Sequence, residues 1–212
     1  MSNRQLWNER YASKELLWSS GPNELFASEV RNLKPGTALD VACGEGRNAL
    51  WLAAQGWNVT AVDFSATAID KARQIAKKRG VTVNWIVADI TTCPLDESGY
   101  DLVAILYLHT SRVERERWLP NVVRSIRPSG TFVYIGHDPS NIEYGVGGPQ
   151  DPDLLPVVTE ITNVMQDFQI KAATVIRRLT ANEPGHGSSP QGDALDSFVR
   201  AKKLSAIHLR SP

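Results

Sequence analysis

The sequence predicts an α/β protein built on a mainly parallel sheet with helices on both faces. Three observations predict it. Short apolar runs alternate with amphipathic helical stretches from Ala38 to Gly136, the texture of repeated β-α units joined by right-handed crossovers. Glycines and acidic residues recur where the runs end. The chain then closes on two strand-like runs, Phe168 to Leu179 and Ala194 to Lys202, which read as a hairpin on the sheet edge.

Taken in order, the elements start with NELFASEVRNL, in which Leu25, Phe26, Val30 and Leu33 recur at helical spacing behind the cap Asn23. Lys34-Pro35-Gly36 punctuates the chain. Ala38 to Ala42 reads as a buried strand, Ala49 to Gln55 as a helix stopped by Gly56, and Trp57 to Val62 as a second strand. Ser65 caps a helix to Arg79, with Ile69, Ala72, Ile75 and Ala76 inward and Gly80 as its stop. Val83 to Val87 and Asp101 to Leu106 are strands three and four. Ser111 and Glu114 form a capping box. The helix behind it carries Val113, Leu119, Val122, Val123 and Ile126 inward across a kinking Pro120. Arg127-Pro128-Ser129-Gly130 is a turn into strand five, Thr131 to Gly136. Asp138 to Pro156 is rich in Gly, Pro, Asp and Asn and reads as a lid loop, followed by a short helix around Asp153 to Met165.

Composition narrows the function. A chain of 212 residues suits one domain, and 42% apolar with 22% charged residues is ordinary for a globular protein. Lys plus Arg balance Asp plus Glu at 23 each, so no basic field exists to attract nucleic acid or an anionic membrane. Cys43 and Cys93 give neither a disulfide framework nor a metal cluster. The start, MSNRQLWNERYASKELLW, lacks the apolar core of a secretion signal, and runs such as LVAIL at 102–106 are too short to cross a bilayer. The expectation is a cytoplasmic protein with no metal, nucleic-acid or membrane partner, as a monomer or weak homodimer.

Ligands of open α/β sheets bind at the carboxyl ends of the strands. Asp40 lies at the first such end, and Gly44 and Gly46 make the turn into a helix whose N-terminus offers free N–H groups. Asp63 ends strand two, where a carboxylate accepts from both ribose hydroxyls, and Phe64 beside it suits an adenine face. Asp89, between Ala88 and Ile90 at the third end, suits an exocyclic amine. Strand-end acids are also common turn residues and helix caps, and that reading stays open for each acid singly.

The stretch resembles the class I S-adenosylmethionine-dependent methyltransferases. LDVACGEGRN is similar to that family's first motif, AVDFSATAIDKAR to the second, VADI to the third and YDLVAILYLH to the fourth, with IRPSGTFVYI as the helix-turn-strand that follows. Ala42 stands where many members have glycine. The GRN ending and the aromatic N-terminal segment resemble the tellurite-resistance and thiopurine methyltransferases, which act on small molecules. The resemblance implies a Rossmann-like doubly wound seven-stranded sheet of order 3-2-1-4-5-7-6 with an antiparallel last strand. It also implies S-adenosylmethionine as cofactor, held by Asp40, Ala42, Cys43, Gly44, Gly46, Arg47, Asp63, Phe64, Ser65, Asp89, Ile90 and Leu106. One domain, 1–212, would comprise a cover segment (1–36), a cofactor-binding core (37–136), a lid loop and helix (137–166) and a closing hairpin and tail (167–212).

Methyl transfer from a sulfonium needs alignment of nucleophile and methyl, and a base only when the acceptor must lose a proton. Tyr107 and His109 after strand four, and His137 after strand five, are the candidate catalytic residues. Packing or helix capping is the competing role for His109, and turn formation at Asp138-Pro139 for Asp138. Tyr11, Trp18 and Asp138 are candidate acceptor-binding residues, although Tyr11 and Trp18 also suit an ordinary core. Cys43 reads as a small apolar filler with an inert thiol. Two rivals remain. Gly44-x-Gly46-x-x-Ala49 with Asp63 also suits a nicotinamide-dependent oxidoreductase, and a non-catalytic S-adenosylmethionine-binding protein would need the same turn.

Overall fold

The computed structural model describes residues 3–14, 16–17, 19–180 and 192–205. Its seven strands follow the order β3-β2-β1-β4-β5-β7-β6, the order that the resemblance implies. The described chain divides into two compact units, one up to Cys93 and one from Pro94 onward.

The first unit holds α1 (Asn3–Ala12), α2 (Glu24–Val30), β1 (Thr37–Val41), α3 (Arg47–Ala54), β2 (Asn58–Asp63), α4 (Ala66–Arg79) and β3 (Asn84–Val87). β1 to β3 pair in parallel. Ala38, Leu39 and Val41 of β1 are fully buried, as befits a parallel strand covered on both faces. α4 has the predicted ends. Ser65 Oγ accepts the Ala68 N–H, and Gly80 closes the helix in the left-handed conformation behind Lys77, Lys78 and Arg79, whose charges favour a helix C-terminus. α1 was not expected, because NRQLWNERYA carries too few apolar residues to show a helical period. Its support is tertiary: Tyr11 and Leu17 pack on Ala68 of α4, with Trp7 against them.

The second unit holds β4 (Tyr100–Leu106), α5 (Arg112–Arg124), β5 (Ile126–His137), α6 (Asn141–Tyr144), α7 (Val158–Thr162), β6 (Phe168–Leu179) and β7 (Asp193–Lys203). β4 and β5 are parallel, and β7 runs antiparallel to both β5 and β6. The capping box of α5 is formed by Ser111 and Glu114 as predicted, and the helix continues through Pro120.

Three expectations need correction. Val113 is 57% exposed rather than inward, because it sits in the first turn of α5 ahead of the buried stripe of Trp118, Leu119, Val122 and Val123. The Arg127–Gly130 turn does not precede β5 but lies inside it. Tyr100 pairs with Ile126 and Leu102 with Thr131, so the intervening residues bulge out, with Ser129 at φ 66°. The single helix expected around Asp153 to Met165 is instead a 3-10 turn at Pro152–Leu154 and then α7. Pro156 lies between them and disfavours a helical Leu155.

The loop after β5 is stapled to β7 rather than loose. Asn141 Oδ1 accepts the Leu195 N–H, and the Val146 N–H donates to the Asp193 carbonyl.

Candidate functional site

In the first unit the turn between β1 and α3 is wound by three left-handed residues, Ala42 (φ 55°), Gly44 (φ 55°) and Gly46 (φ 77°). A Cβ on Gly46 would lie 2.4 Å from the Trp85 ring, so this position needs glycine for both conformation and space. Ala42 adopts the same conformation with a side chain, which costs about 1–2 kcal/mol. Ala42→Gly is therefore expected to stabilise the protein by up to about 1 kcal/mol, after the greater entropy of an unfolded glycine is set against the strain. A lower urea midpoint for the variant would contradict this.

Gly46 has no side chain with which to cap α3, and Asp40 takes that role. Its Oδ2 accepts the Ala49 N–H at 3.1 Å. Burial lifts the Asp40 carboxyl to about 7, the Ala49 N–H opposes that rise, and the charge on Asp63 adds to it. Burial likewise pushes the Cys43 thiol well up, reinforced by Asp40 and Asp63, so the thiol has no means of forming a reactive thiolate.

Asp63 ends β2 with one oxygen on the Gly44 N–H and the other on the Ser65 N–H, both at 2.8 Å. A carboxylate accepts about four hydrogen bonds, so about two acceptor positions remain. Burial raises its pKa against those two bonds, and two further hydroxyl donors would offset that burial. Asp89 Oδ1 accepts from the Thr91 N–H and hydroxyl, leaving Oδ2 without a hydrogen bond among the described residues. Each of the three acids thus makes a cap or turn contact and, at Asp63 and Asp89, keeps capacity for a ligand. A nucleoside with ribose hydroxyls and an exocyclic amine fits this set. Phe64 is half-buried and Ile90 is buried.

The polar residues of ACGEGRN have a second task. Glu45 Oε2 accepts the Leu17 N–H, Arg47 donates to the Ser19 hydroxyl, and Asn48 Oδ1 accepts the Asn23 N–H. Lys71 pairs with Glu45 at 3.3 Å and donates to the Tyr11 and Lys14 carbonyls. Ser65 donates to Asn8. The N-terminal segment is thereby stitched along the glycine turn, and the ring of Tyr11 packs in the apolar cluster on α4. Trp18 lies outside the described residues.

In the second unit the candidate residues gather at the carboxyl ends of β4 and β5. Leu106 is buried, and Tyr107 follows it at φ 56°, the kind of backbone strain that collects at functional sites. Its hydroxyl donates to Asp196 Oδ2 at 2.7 Å. Arg178 Nε donates to the same oxygen at 2.6 Å, and its guanidinium lies over the Tyr107 ring. His137 Nδ1 faces the other oxygen, Oδ1, at 3.1 Å. Burial alone would raise the Asp196 carboxyl, but the facing His137 and the Arg178 guanidinium that donates to it hold it at about 2. The His109 and His137 rings stack in parallel, 5.7 Å apart. Burial, reinforced by His137, lowers His109 to about 3, so it is neutral near pH 7. Asp138 has both oxygens committed, to Ser140 and to the Ser197 hydroxyl.

Residues 38–130 match the model of the family described as "Methyltransferase domain". Over this stretch the chain is similar to methyltransferase domains. The chain is 31% identical over 139 residues to a 2-heptyl-1-hydroxyquinolin-4(1H)-one methyltransferase of Mycobacteroides abscessus, a match covering 61% of this chain and 60% of that protein. It is 38% identical over 110 residues to a ubiquinone biosynthesis O-methyltransferase of Rickettsia conorii, covering 52% of this chain and 37% of that protein. The chain therefore spans about half the length of the curated relatives it matches. TehB from Haemophilus influenzae shares this fold, with a TM-score of 0.71 at 15% identity over 94% of this chain and 66% of that one.

Asp196, Arg178, Glu45 and Lys71 were not singled out from the sequence. Their partners lie far along the chain, and each reads alone as a solvated surface charge. No helix among the described residues is long and apolar enough to cross a membrane.

The buried groups of the two units set opposing responses to pH. Asp40, at about 7 when folded against 3.8, favours the folded state below pH 3.8 and loses that contribution as pH rises through 7. His109, at about 3 when folded against 6.5, favours it above pH 6.5 and loses that contribution as pH falls toward 3. Each acts at about 1.4 kcal/mol per pH unit, so between pH 6.5 and 4 they cancel. His109→Gln should therefore gain more stability than the wild type on acidification from pH 7 to 5. Parallel urea titrations at the two pH values check this, and equal slopes for both proteins would contradict it.

Proposed function

We propose that the protein transfers a methyl group from S-adenosylmethionine to an oxygen atom of a small-molecule acceptor. Asp63 carries the proposal: a buried strand-end carboxylate with capacity for two more hydrogen bonds, behind a turn wound by Ala42, Gly44 and Gly46. Asp63 would hold the ribose hydroxyls, Phe64 would lie against the adenine, and the uncommitted oxygen of Asp89 would take the adenine amine. Ile90 would supply apolar wall. When bound, S-adenosylmethionine supplies a methyl carbon on a sulfonium, a leaving group that needs no protonation. The protein's contribution is then alignment and exclusion of water, worth up to ~7–11 kcal/mol for well-oriented reactants.

The oxygen acceptor is supported by the relatives, one named for a hydroxyquinolinone and others as O-methyltransferases. It is also supported by the polar cluster of Tyr107, His137 and Asp196, which suits a hydroxyl better than an apolar ring. We propose further that residues 1–212 act as one methyltransferase domain in the cytoplasm, as a monomer or weak homodimer, without a nucleic-acid partner.

The test is transfer of labelled methyl from S-adenosylmethionine across a panel of phenols, N-hydroxy compounds, thiols and amines. Product on hydroxyl acceptors is expected. Asp63→Asn should weaken S-adenosylhomocysteine binding at least about tenfold, since hydrogen bonds to a charged group are worth about 1.5–3 kcal/mol. Tight binding of the cofactor with silence across the whole panel would instead indicate a non-catalytic binding protein.

A further inference from the structure

Three buried polar atoms without an aligned hydrogen-bond partner belong to one cluster of the second unit: His109 Nε2, His137 Nδ1 and Asp196 Oδ1. Such atoms are costly to bury, and their concentration beside two strand ends marks a built site. The cluster is not arranged for a metal: among the described residues no group of three or more His, Cys, Asp or Glu is placed to hold one. We propose that His137 is the general base of the acceptor site, that Asp196 is its positioning residue, and that the acceptor is an acidic hydroxyl compound, phenolic or N-hydroxy. The proposal rests on the methyl-transfer reading above.

The division of labour on Asp196 supports it. Oδ2 is anchored twice, by the Tyr107 hydroxyl and by Arg178 Nε, so Oδ1 is left facing His137 Nδ1 at 3.1 Å. The pair is within hydrogen-bond distance but not aligned, and contacts of this kind commonly tighten once the reactants are bound. A carboxylate at Nδ1 selects the tautomer with the proton there, leaves the Nε2 lone pair free and stabilises the imidazolium. Nε2 makes no hydrogen bond among the described residues, and the side chain retains 11% exposure. Gly148 packs beside that edge and leaves no room for a larger residue, because a Cβ there would lie 2.5 Å from Cδ2 and 2.9 Å from Nε2.

The charged and titratable groups facing His137 are Tyr107 and His109 after β4, Arg178 of β6 and Asp196 of β7. His109 Nε2 is buried, whereas the His137 side chain keeps some exposure, so His137 is the ring that an acceptor can reach.

The step balances. The acceptor's proton passes to His137 Nε2, and an oxygen electron pair forms the new bond to the methyl carbon. The sulfonium donor gives up that carbon and keeps the pair of the broken carbon–sulfur bond. The imidazolium left behind is paired with Asp196 until solvent removes its proton.

The test reads the tautomer directly, by long-range proton–nitrogen spectra of the full chain labelled with ¹⁵N-histidine, in the presence of S-adenosylhomocysteine. His137→Gln identifies the signals. The expected result at pH 8 is protonated Nδ1 and bare Nε2 on His137. In Asp196→Asn the proton affinity of that ring should fall tenfold or more, and in Tyr107→Phe it should fall less. An Nε2–H tautomer in the wild type overturns the proposal, as does a titration indifferent to Asp196→Asn. If that variant does not fold, the wild-type tautomer and Tyr107→Phe decide. Failure of S-adenosylhomocysteine to bind at all overturns the methyl-transfer reading and leaves the tautomer measurement standing.

Discussion

Asp196→Ala is expected to cost about 3–5 kcal/mol of stability, the range for breaking a buried ion pair from one side. Asp196 is fully buried and takes hydrogen bonds from Tyr107 and Arg178 on one oxygen. Its removal takes away the carboxylate oxygen to which Arg178 Nε, on a side chain 15% exposed, donates at 2.6 Å. It also releases the hydroxyl that helps to hold Tyr107 at φ 56°. Asp196→Asn keeps an acceptor for Arg178 and should cost less. Urea denaturation of the three proteins at pH 7 orders them, and a loss below about 1 kcal/mol for the alanine variant would mean that Arg178 regains solvent freely.

Gly46→Ala is expected to cost about 2–5 kcal/mol, from two separable causes. A left-handed backbone with a side chain costs about 1–2 kcal/mol. The new methyl would fall 2.4 and 2.8 Å from Trp85 ring atoms and 3.2 Å from the Ala72 methyl, and overpacking of that kind costs about 1–3 kcal/mol. In a Trp85→Val background the second cost should vanish and the first remain. Equal losses in both backgrounds would show that the ring yields easily. Because the same turn is proposed to approach the cofactor, Gly46→Ala should also weaken S-adenosylhomocysteine binding.

The legible parts of this fold were those written in local patterns. Ser65 and Gly80 mark both ends of α4, Ser111 and Glu114 mark the start of α5, and the apolar runs of β1, β2 and β4 appear within a residue or two of their observed bounds. The closing hairpin was legible because β6 and β7 are long and β-rich. What escaped had non-local causes. α1 is supported by packing on α4 rather than by its own period. The Arg127–Gly130 turn became a bulge because both of its flanks pair with β4.

The candidate site divides along the same line. Asp40, Asp63 and Asp89 were legible because a strand end followed by a glycine turn or helix cap is a local signal. Asp196 was not. A lone acid in a strand reads as outward-facing, and only the register of β5 on β7 sets it opposite His137. Glu45 was hidden for a similar reason, since its partners are Leu17 and Lys71. Asp138 was legible as a strand-end acid, but its oxygens are spent on Ser140 and Ser197, contacts that no spacing rule could foresee.

The central claim is that the turn from Ala42 to Gly46, with Asp63 behind it, holds a sulfonium nucleoside rather than a dinucleotide. Calorimetric titration of the full chain with S-adenosylhomocysteine and separately with NAD tests it most directly. Saturable one-to-one binding of S-adenosylhomocysteine is predicted, weakened at least about tenfold in Asp63→Asn, with no heat from NAD. Binding of NAD without binding of S-adenosylhomocysteine would contradict the account.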